Sequence, residues 1–580
     1  AMQRAYDLVI RGGTIVDGSG GDRFVGDVAV ADGRIVAVGT VSGQGAEEID
    51  ARGMLVTPGF VDVHTHYDGQ ASWDERLQPS SWHGVTTVIS GNCGVGFAPC
   101  KPEDHDRLIR LMEGVEDIPF PVLTEGLPWN WESFPDYLDA IGKRSFDIDI
   151  GLQLPHAALR VFVMGERGAN REPATPTDIN AMAAIAKRAV DAGALGFSTS
   201  RTLNHRTSDG QPTPTLTAAE DELMGIAMGL KAAGKGVLQF VSDFANPVEE
   251  FAMFRRLCEA SGRPLSFSLA QSARAKDGWK TLLGELTAAT EAGLEMRAQV
   301  APRAVGVLLG LELTLNPFSL YPGYKDIAGL PIAERAAKLD DPVFRAVLLS
   351  QPPTESHALA ANMLARWDEM YALGAEPNYE PTADQSFGAL AKAQGRTPQE
   401  IALDAMLDQG GKGMIYVPFL NYADGSLDPS YMMLRHRDTV PGLSDGGAHV
   451  GMICDGSFPT SLLTHWTRDR TRGPKLTVEQ AVRMQAADTA ALIGLHDRGR
   501  IHVGLRADIN IIDYDNLRLH PPEVAYDLPA GGRRLIQRAT GYVATIVAGQ
   551  VTYRDGEPTG ALPGRLVRGA KSAPMAVAAE

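Results

Sequence analysis

From the N-terminus, apolar and polar positions first alternate in short runs broken by glycine and Asp-Gly: DLVIRGGTIVDGSG from Asp7, DVAVADGRIVAVG from Asp27, then Ala51 to Val56. A period of two with such breaks predicts hairpin strands. The same texture returns near the far end, in Ala507 to Asp513 and in ATIVAGQVTYRDG from Ala544. Two β-rich ends around a long α/β middle predict one small β-sandwich assembled from residues 1–57 and 501–565. In the middle, short apolar runs at about 59–64, 85–90, 149–154, 194–199, 236–241, 265–269, 294–300 and 442–444 read as strands. Helical segments such as Thr177 to Ala192 and Thr217 to Ala233 lie between many of them. Eight βα units in sequence predict an α/β fold, a TIM-type (β/α)8 barrel over residues 58–500. The spacing breaks once, at about 302–438, where the chain is far longer than a βα connection needs. That stretch is expected to be a mostly helical insertion near the barrel mouth. Residues 566–580 read as a tail, fraying from about Ser572.

Composition narrows the function classes. The 580 residues exceed one ordinary core, and 44% hydrophobic with 22% charged residues is a water-facing globular balance. A net charge of −17 with no basic stripe along the chain argues against nucleic acid and for a small-molecule substrate. Apolar runs such as Val305 to Leu311 are too short to cross a bilayer, so no membrane partner is expected. Four cysteines without CxxC spacing, and an N-terminus without an apolar leader, predict a reduced cytoplasmic setting. Barrels of this kind commonly associate, so a homo-oligomer is the expected state.

The densest chemistry is Pro58-Gly59-Phe60-Val61-Asp62-Val63-His64-Thr65-His66. Residues two apart on a strand share a face, so His64 and His66 point the same way. In a parallel barrel that face is the interior, and the C-terminal strand ends carry the active site. Two imidazoles converging there suit Zn²⁺, although HxH alone also fits a histidine pair satisfied within the core.

The order of terminal β-structure, PGFVDVHTH, long barrel and Leu443-Ser444-Asp445-Gly446 resembles the amidohydrolase superfamily, from Asp7 to about Arg554. The resemblance implies His64, His66 and Asp445 as metal ligands, with Asp445 also moving a proton. Within the superfamily the chain is most similar to the N-acyl-D-amino-acid deacylases. It carries Ser90-Gly91-Asn92-Cys93-Gly94, Thr124 to Trp129 and GLQLPHAALR, and GALGFSTSRTLNH has no lysine. This likeness implies Cys93 as a thiolate ligand, since a metal lowers a thiol pKa. The family's strand-five and strand-six histidines are missing: no histidine occurs between His205 and His357, and Gln239 and Gln271 lie near those positions. One Zn²⁺ per chain is therefore expected, on His64, His66, Cys93 and Asp445. The family's strand-six lysine is also missing from SLAQSAR, which leaves His156, Arg201, Gln239, Gln271, Tyr324 and His449 as substrate-side candidates. His205, Arg303 and Lys325 are weaker ones.

The implied reaction is hydrolysis of an amide C–N bond in an N-acyl amino acid or similar small molecule. Zn²⁺ brings the pKa of water from 15.7 to about 7, and Asp445 would take a proton and return it to the leaving nitrogen. A lactone or cyclic amide passes through the same tetrahedral oxyanion and stays open as an alternative. So does a non-catalytic binding relative with a degraded metal site. The insertion's start, Asn316 to Tyr324, mixes aromatics with Pro and Gly. It is expected to form a lid placing Tyr324 above His64 and His66, or else a surface for subunit contacts.

Overall fold

The computed structural model describes residues 5–574. Its centre is a sheet of eight strands: β1 (Phe60–Asp62), β2 (Val85–Ser90), β3 (Asp149–Pro155), β4 (Gly196–Arg201), β5 (Val237–Ser242), β6 (Leu265–Leu269), β7 (Met296–Val300) and β8 (Thr439–Pro441). They lie side by side in sequence order and every pairing is parallel. VTTVIS of β2 and DIGLQLP of β3 are buried along their whole length, as parallel strands covered on both faces must be. The sheet curls until its edges meet beyond β1 and β8. There Thr65 bridges Gly446, Asp445 N donates to His64 O at 3.0 Å, and His66 N donates to Gly446 O at 2.7 Å.

The last strand starts at Thr439 rather than at the expected Gly442, and Leu443 and Asp445 take positive φ of 64° and 53°. The run read as a strand is thus the irregular edge that closes the ring. The helix Pro176–Ala192 starts on a capping box of Thr175 and Asp178. Glu220–Ala233 ends on the left-handed Gly234.

Both chain ends feed one continuous nine-stranded sheet. Leu55–Pro58 pairs with Tyr6–Ile15 on one side and antiparallel with Ile509–Ile512 on the other, Val56 facing Ile511. Ile10, Val28, Val56, Ile511 and Ile546 give this sheet an apolar cluster of its own. Leu55–Pro58 passes into β1 through Gly59, where a Cβ would sit 2.1 Å from Thr86 Oγ1. A glycine is required there, and it fixes where β1, and so His64, begins.

Between β7 and β8 the insertion holds more than helices. Val305–Leu309, Tyr371–Ala372 and Ile415–Leu420 form a three-stranded antiparallel sheet. Short apolar runs such as VGVLL, which periodicity cannot tell from buried helix, supply these strands within the helical insertion. Helices including Ile332–Asp340 and Pro398–Gly411 pack with it around Leu309, Phe318, Leu339 and Met406.

The insertion is fastened by a buried charge. Glu380 accepts from Arg470 Nε at 3.0 Å and Nη2 at 3.1 Å, from Leu427 N at 2.9 Å, and lies 2.9 Å from His465 Nε2. Burial pushes its carboxyl pKa up, but the hydrogen bonds from His465 and Arg470 outweigh that and hold it at about 2. An unfolded glutamate titrates near pH ~4.3. This stabilisation is therefore present above that pH and lost as pH falls towards 2. Glu380→Gln is expected to cost about 3 kcal/mol in chemical denaturation, the low end for a broken buried pair, because Asp428 still contacts Arg470 at 2.7 Å. A loss below about 0.5 kcal/mol, the scale of an ordinary surface change, would remove the fastening role.

The C-terminal stretch is docked where described: Leu566 bridges Ile150 and Lys571 bridges Leu495. The last six residues of the expected tail, 575–580, lie outside the described residues. Among the described residues no helix is long and apolar enough to cross a membrane.

Candidate active site

Asp62, the last residue of β1, builds the site's floor. Its carboxylate accepts from His64 N at 3.1 Å and from the Ser444 hydroxyl, tying the two sheet edges so that His64 and Asp445 stand side by side. His64 Nε2 lies 3.3 Å from Cys93 Sγ and 3.3 Å from Asp445 Oδ1, and His66 Nε2 lies 3.2 Å from the same oxygen. The donor atoms of His64, His66 and Cys93 all fall within 4.8 Å of one another, and all three residues are buried.

The far side of each ring is also held. Gln299 Oε1 lies 2.9 Å from His64 Nδ1, and its amide nitrogen donates to Ser266 Oγ at 3.1 Å. That orientation makes Gln299 the acceptor of the Nδ1 proton and leaves Nε2 as the ring atom that faces Cys93 and Asp445. His66 Nδ1 is 3.3 Å from Glu116 Oε1, within ion-pair reach but at an angle that makes no hydrogen bond.

Ligands sharing a tetrahedral ion at bond lengths of about 2.0–2.3 Å sit about 3.3–3.8 Å apart. The recorded separations match, so these side chains fit a divalent cation. The electrostatics agree. Burial would lower the His64 pKa, yet the thiolate of Cys93 and the carboxylate of Asp445 raise it to about 10. Burial would raise the Cys93 thiol, yet the two imidazoles bring it below its ordinary value. Two anions facing two buried rings make a place that favours positive charge.

Backbone strain collects here as well. Cys93, Leu443, Asp445 and His449 have φ of 58°, 64°, 53° and 50°. Each costs about 1–3 kcal/mol, which is tolerated where side chains must be aimed. Gly91, beside Cys93, admits no side chain, since a Cβ would lie 2.2 Å from Gln153 O.

The sequence profile described as the amidohydrolase family matches residues 47–553. The chain belongs to the amidohydrolase family. It is 28% identical over 592 residues to an uncharacterized protein of Mycobacterium tuberculosis, covering 95% of this chain and 92% of that one. It is 28% identical over 523 residues to an N-acyl-D-glutamate deacylase of Alcaligenes xylosoxydans xylosoxydans, covering 89% of each. Its fold matches that of a solved D-aminoacylase with a binuclear metal centre at a TM-score of 0.64 and 23% identity, over 97% of this chain and all of the other. The N-acyl-D-glutamate deacylase of Bordetella bronchiseptica, solved with zinc and a phosphonate mimic of the tetrahedral intermediate, matches at 0.64 and 22%, over 98% of this chain and 100% of that one.

In this amidohydrolase the substrate-side candidates fall into two groups. Gln239 and His449 reach the cluster: Gln239 Oε1 accepts from Cys93 N at 3.2 Å, and His449 Nε2 lies 3.4 Å from Asp445 Oδ2. Gln239 Nε2 is buried with no hydrogen-bond partner. The others are engaged by protein partners. His156 has Nδ1 2.7 Å from Thr199 Oγ1 and Nε2 2.6 Å from Glu222 Oε2, so neither nitrogen is left for a substrate. Arg201 pairs with Glu250 at 3.1 Å and donates to Ala218 O. Gln271 donates to Asp424 and accepts from Ala423 N, tying the chain after β6 to the insertion. Tyr324 packs in the insertion's own core, its hydroxyl accepting from Arg335 at 3.1 Å, and does not form the expected roof.

Among the weaker candidates, Arg303 is spent on Asp455 at 2.9 Å and on Ser457 and Ser461. His205 is the exception. Its Nδ1 lies 2.6 Å from Ser200 Oγ at the end of β4, and burial first, then the charges of His449 and His66, push its pKa down to about 3.

The residue missed outright is Glu116, which ends the helix His105–Glu116. Its oxygens lie 3.3 Å from His66 Nδ1 and 3.3 Å from His449 Nε2, and it is almost wholly buried. A signal existed: Leu108, Met112 and Glu116 share one face at four-residue spacing, and the first two are core residues. An acid continuing an apolar stripe marks a buried charge with a partner elsewhere.

Proposed function

We propose that this amidohydrolase deacylates N-acyl-D-amino acids, using one Zn²⁺ held by His64, His66, Cys93 and Asp445. The observation that carries the reading is the convergence of two imidazole Nε2 atoms, one thiol and one carboxylate oxygen at separations a single ion would span. Such an ion supplies a Lewis acid and brings the pKa of water to about 7.

The chain's own residues divide the remaining work. Asp445 turns Oδ1 to the two histidines and Oδ2 to His449, so one carboxylate both joins the ligand set and offers a proton acceptor to the reaction space. His449, held against Glu116, orients that second oxygen. The Gln239 amide nitrogen, buried without a partner, is a donor available to a substrate carbonyl or carboxylate. A single ion is supported by β5, which contributes a neutral amide where the resemblance calls for histidine. It is also supported by the D-aminoacylase described as activated by one metal and attenuated by the second. Residues 58–500 would form the catalytic unit, with the insertion shaping one wall.

The test is a panel of N-acyl-D- and N-acyl-L-amino acids, lactones and cyclic amides, run on zinc-loaded protein and after chelation. Deacylation of D-substrates, lost on chelation and restored by zinc, is expected. Turnover confined to lactones or cyclic amides would replace the substrate class. Full zinc occupancy with no turnover of any of them would favour a binding role.

A further inference from the structure

In a chain of net charge −17, a surface that reverses that sign calls for a cause. A cavity of about 620 Å³ opens where β5, β6 and β8 begin, at Val237, Leu265 and Thr439. This is the end of the sheet opposite the metal-ligand cluster, so the cavity serves no atom of the proposed reaction. Its wall carries six permanent cations, Lys235, Arg263, Arg297, Arg437, Arg483 and Lys571, against two carboxylates, Glu295 and Asp488.

Among the described residues, ion pairs engage three of these six cations. Arg483 lies 3.5 Å from Asp488, and Arg297 and Arg437 share Asp438 at 3.7 and 3.1 Å. Arg263 instead donates Nε to the neutral carbonyl of Gly236 at 3.0 Å, and Lys571 donates to the carbonyl of Arg568 at 3.2 Å. Burial lowers the Arg263 pKa by more than the charge of Glu295 on the same wall raises it. The volume lies within the range of small-molecule sites, about 300–1,000 Å³.

We propose that this cavity binds a small polyvalent oxyanion, a phosphate or the phosphate group of a phosphate ester, on Arg263, Lys235 and Lys571. Phosphate fits better than a lone carboxylate. Forked guanidinium donors match its oxygens two at a time, and its double charge answers several cations at once. The ligand would join the start of the sheet to the C-terminal stretch around Lys571, so it would also stabilise the fold by binding only the native state.

The experiment is calorimetric titration of the zinc-loaded full chain with inorganic phosphate and with ribose 5-phosphate, at constant ionic strength. One saturable site is expected, with a higher melting temperature. Arg263→Gln is expected to bind about tenfold more weakly, the equivalent of one charge-assisted contact. Lys235→Gln, at a position where little packing is at stake, should weaken binding in the same direction with zinc content and hydrolysis unchanged. Phosphate binding without ribose 5-phosphate binding would narrow the ligand to the free anion and keep the site. Binding left intact in both variants would assign the phosphate to the metal centre and overturn the proposal. Heat reproduced by added chloride would overturn it too.

Discussion

Asp445→Asn is expected to leave the protein folded and to lower turnover by about two to four orders of magnitude, the range of general acid–base catalysis. The amide has the carboxylate's shape, and the backbone bond from residue 445 N to His64 O at 3.0 Å does not depend on the side chain. What disappears is charge. The carboxylate faces His64, His66 and His449 at 3.3, 3.2 and 3.4 Å, and these contacts hold its pKa far below the usual range although burial opposes them. An amide neither takes a proton near neutral pH nor balances a cation beside two imidazoles. Steady-state kinetics on zinc-saturated variant, with circular dichroism as the folding control, would check this. Near-normal turnover would move proton transfer to His449, the other titratable group on Oδ2.

The second large effect is expected from Glu116→Gln, which should weaken zinc affinity about 10- to 100-fold, the usual cost of losing a carboxylate behind a metal-ligating histidine. Glu116 reaches His66 Nδ1 and His449 Nε2 at 3.3 Å each. Its negative charge makes the His66 ring a stronger donor through Nε2, and it contributes to raising the pKa of His449 to about 9 against burial. The neutral glutamine fills the same space without the charge. Competition against a chromophoric chelator reads the affinity directly, and excess zinc should restore much of the activity. An unchanged zinc affinity would reduce Glu116 to a packing role.

Much of this was legible in the residue order because it is local. HxH needs only the period of a strand to put two rings on one face, and Gly91-Asn92-Cys93 follows a fully buried strand. Seven of the eight parallel strands were visible as apolar runs between helical segments, whereas the run read as the eighth, 442–444, lies just past the observed Thr439–Pro441. What escaped depends on distance in sequence. Glu116 meets His449 across 333 positions, and no local pattern pairs a helix C-terminus with a loop after the last strand. His156 and Arg201 were credible from their place at strand ends, yet Glu222 and Glu250 claim them, and those partners sit on helices whose facing is fixed only by packing. The basic cavity shares this character. Lys235, Arg263, Arg297 and Lys571 lie far apart in a chain without a basic stripe and meet only because the strands begin at one rim.

The central claim is that His64, His66, Cys93 and Asp445 hold the ion on which hydrolysis depends. Anomalous diffraction at the zinc edge from zinc-loaded crystals tests it most directly. The account predicts one strong peak per chain, about 2.0–2.3 Å from His64 Nε2, His66 Nε2, Cys93 Sγ and the nearer Asp445 oxygen. A peak lying away from these atoms, or two equally occupied ions, would contradict it.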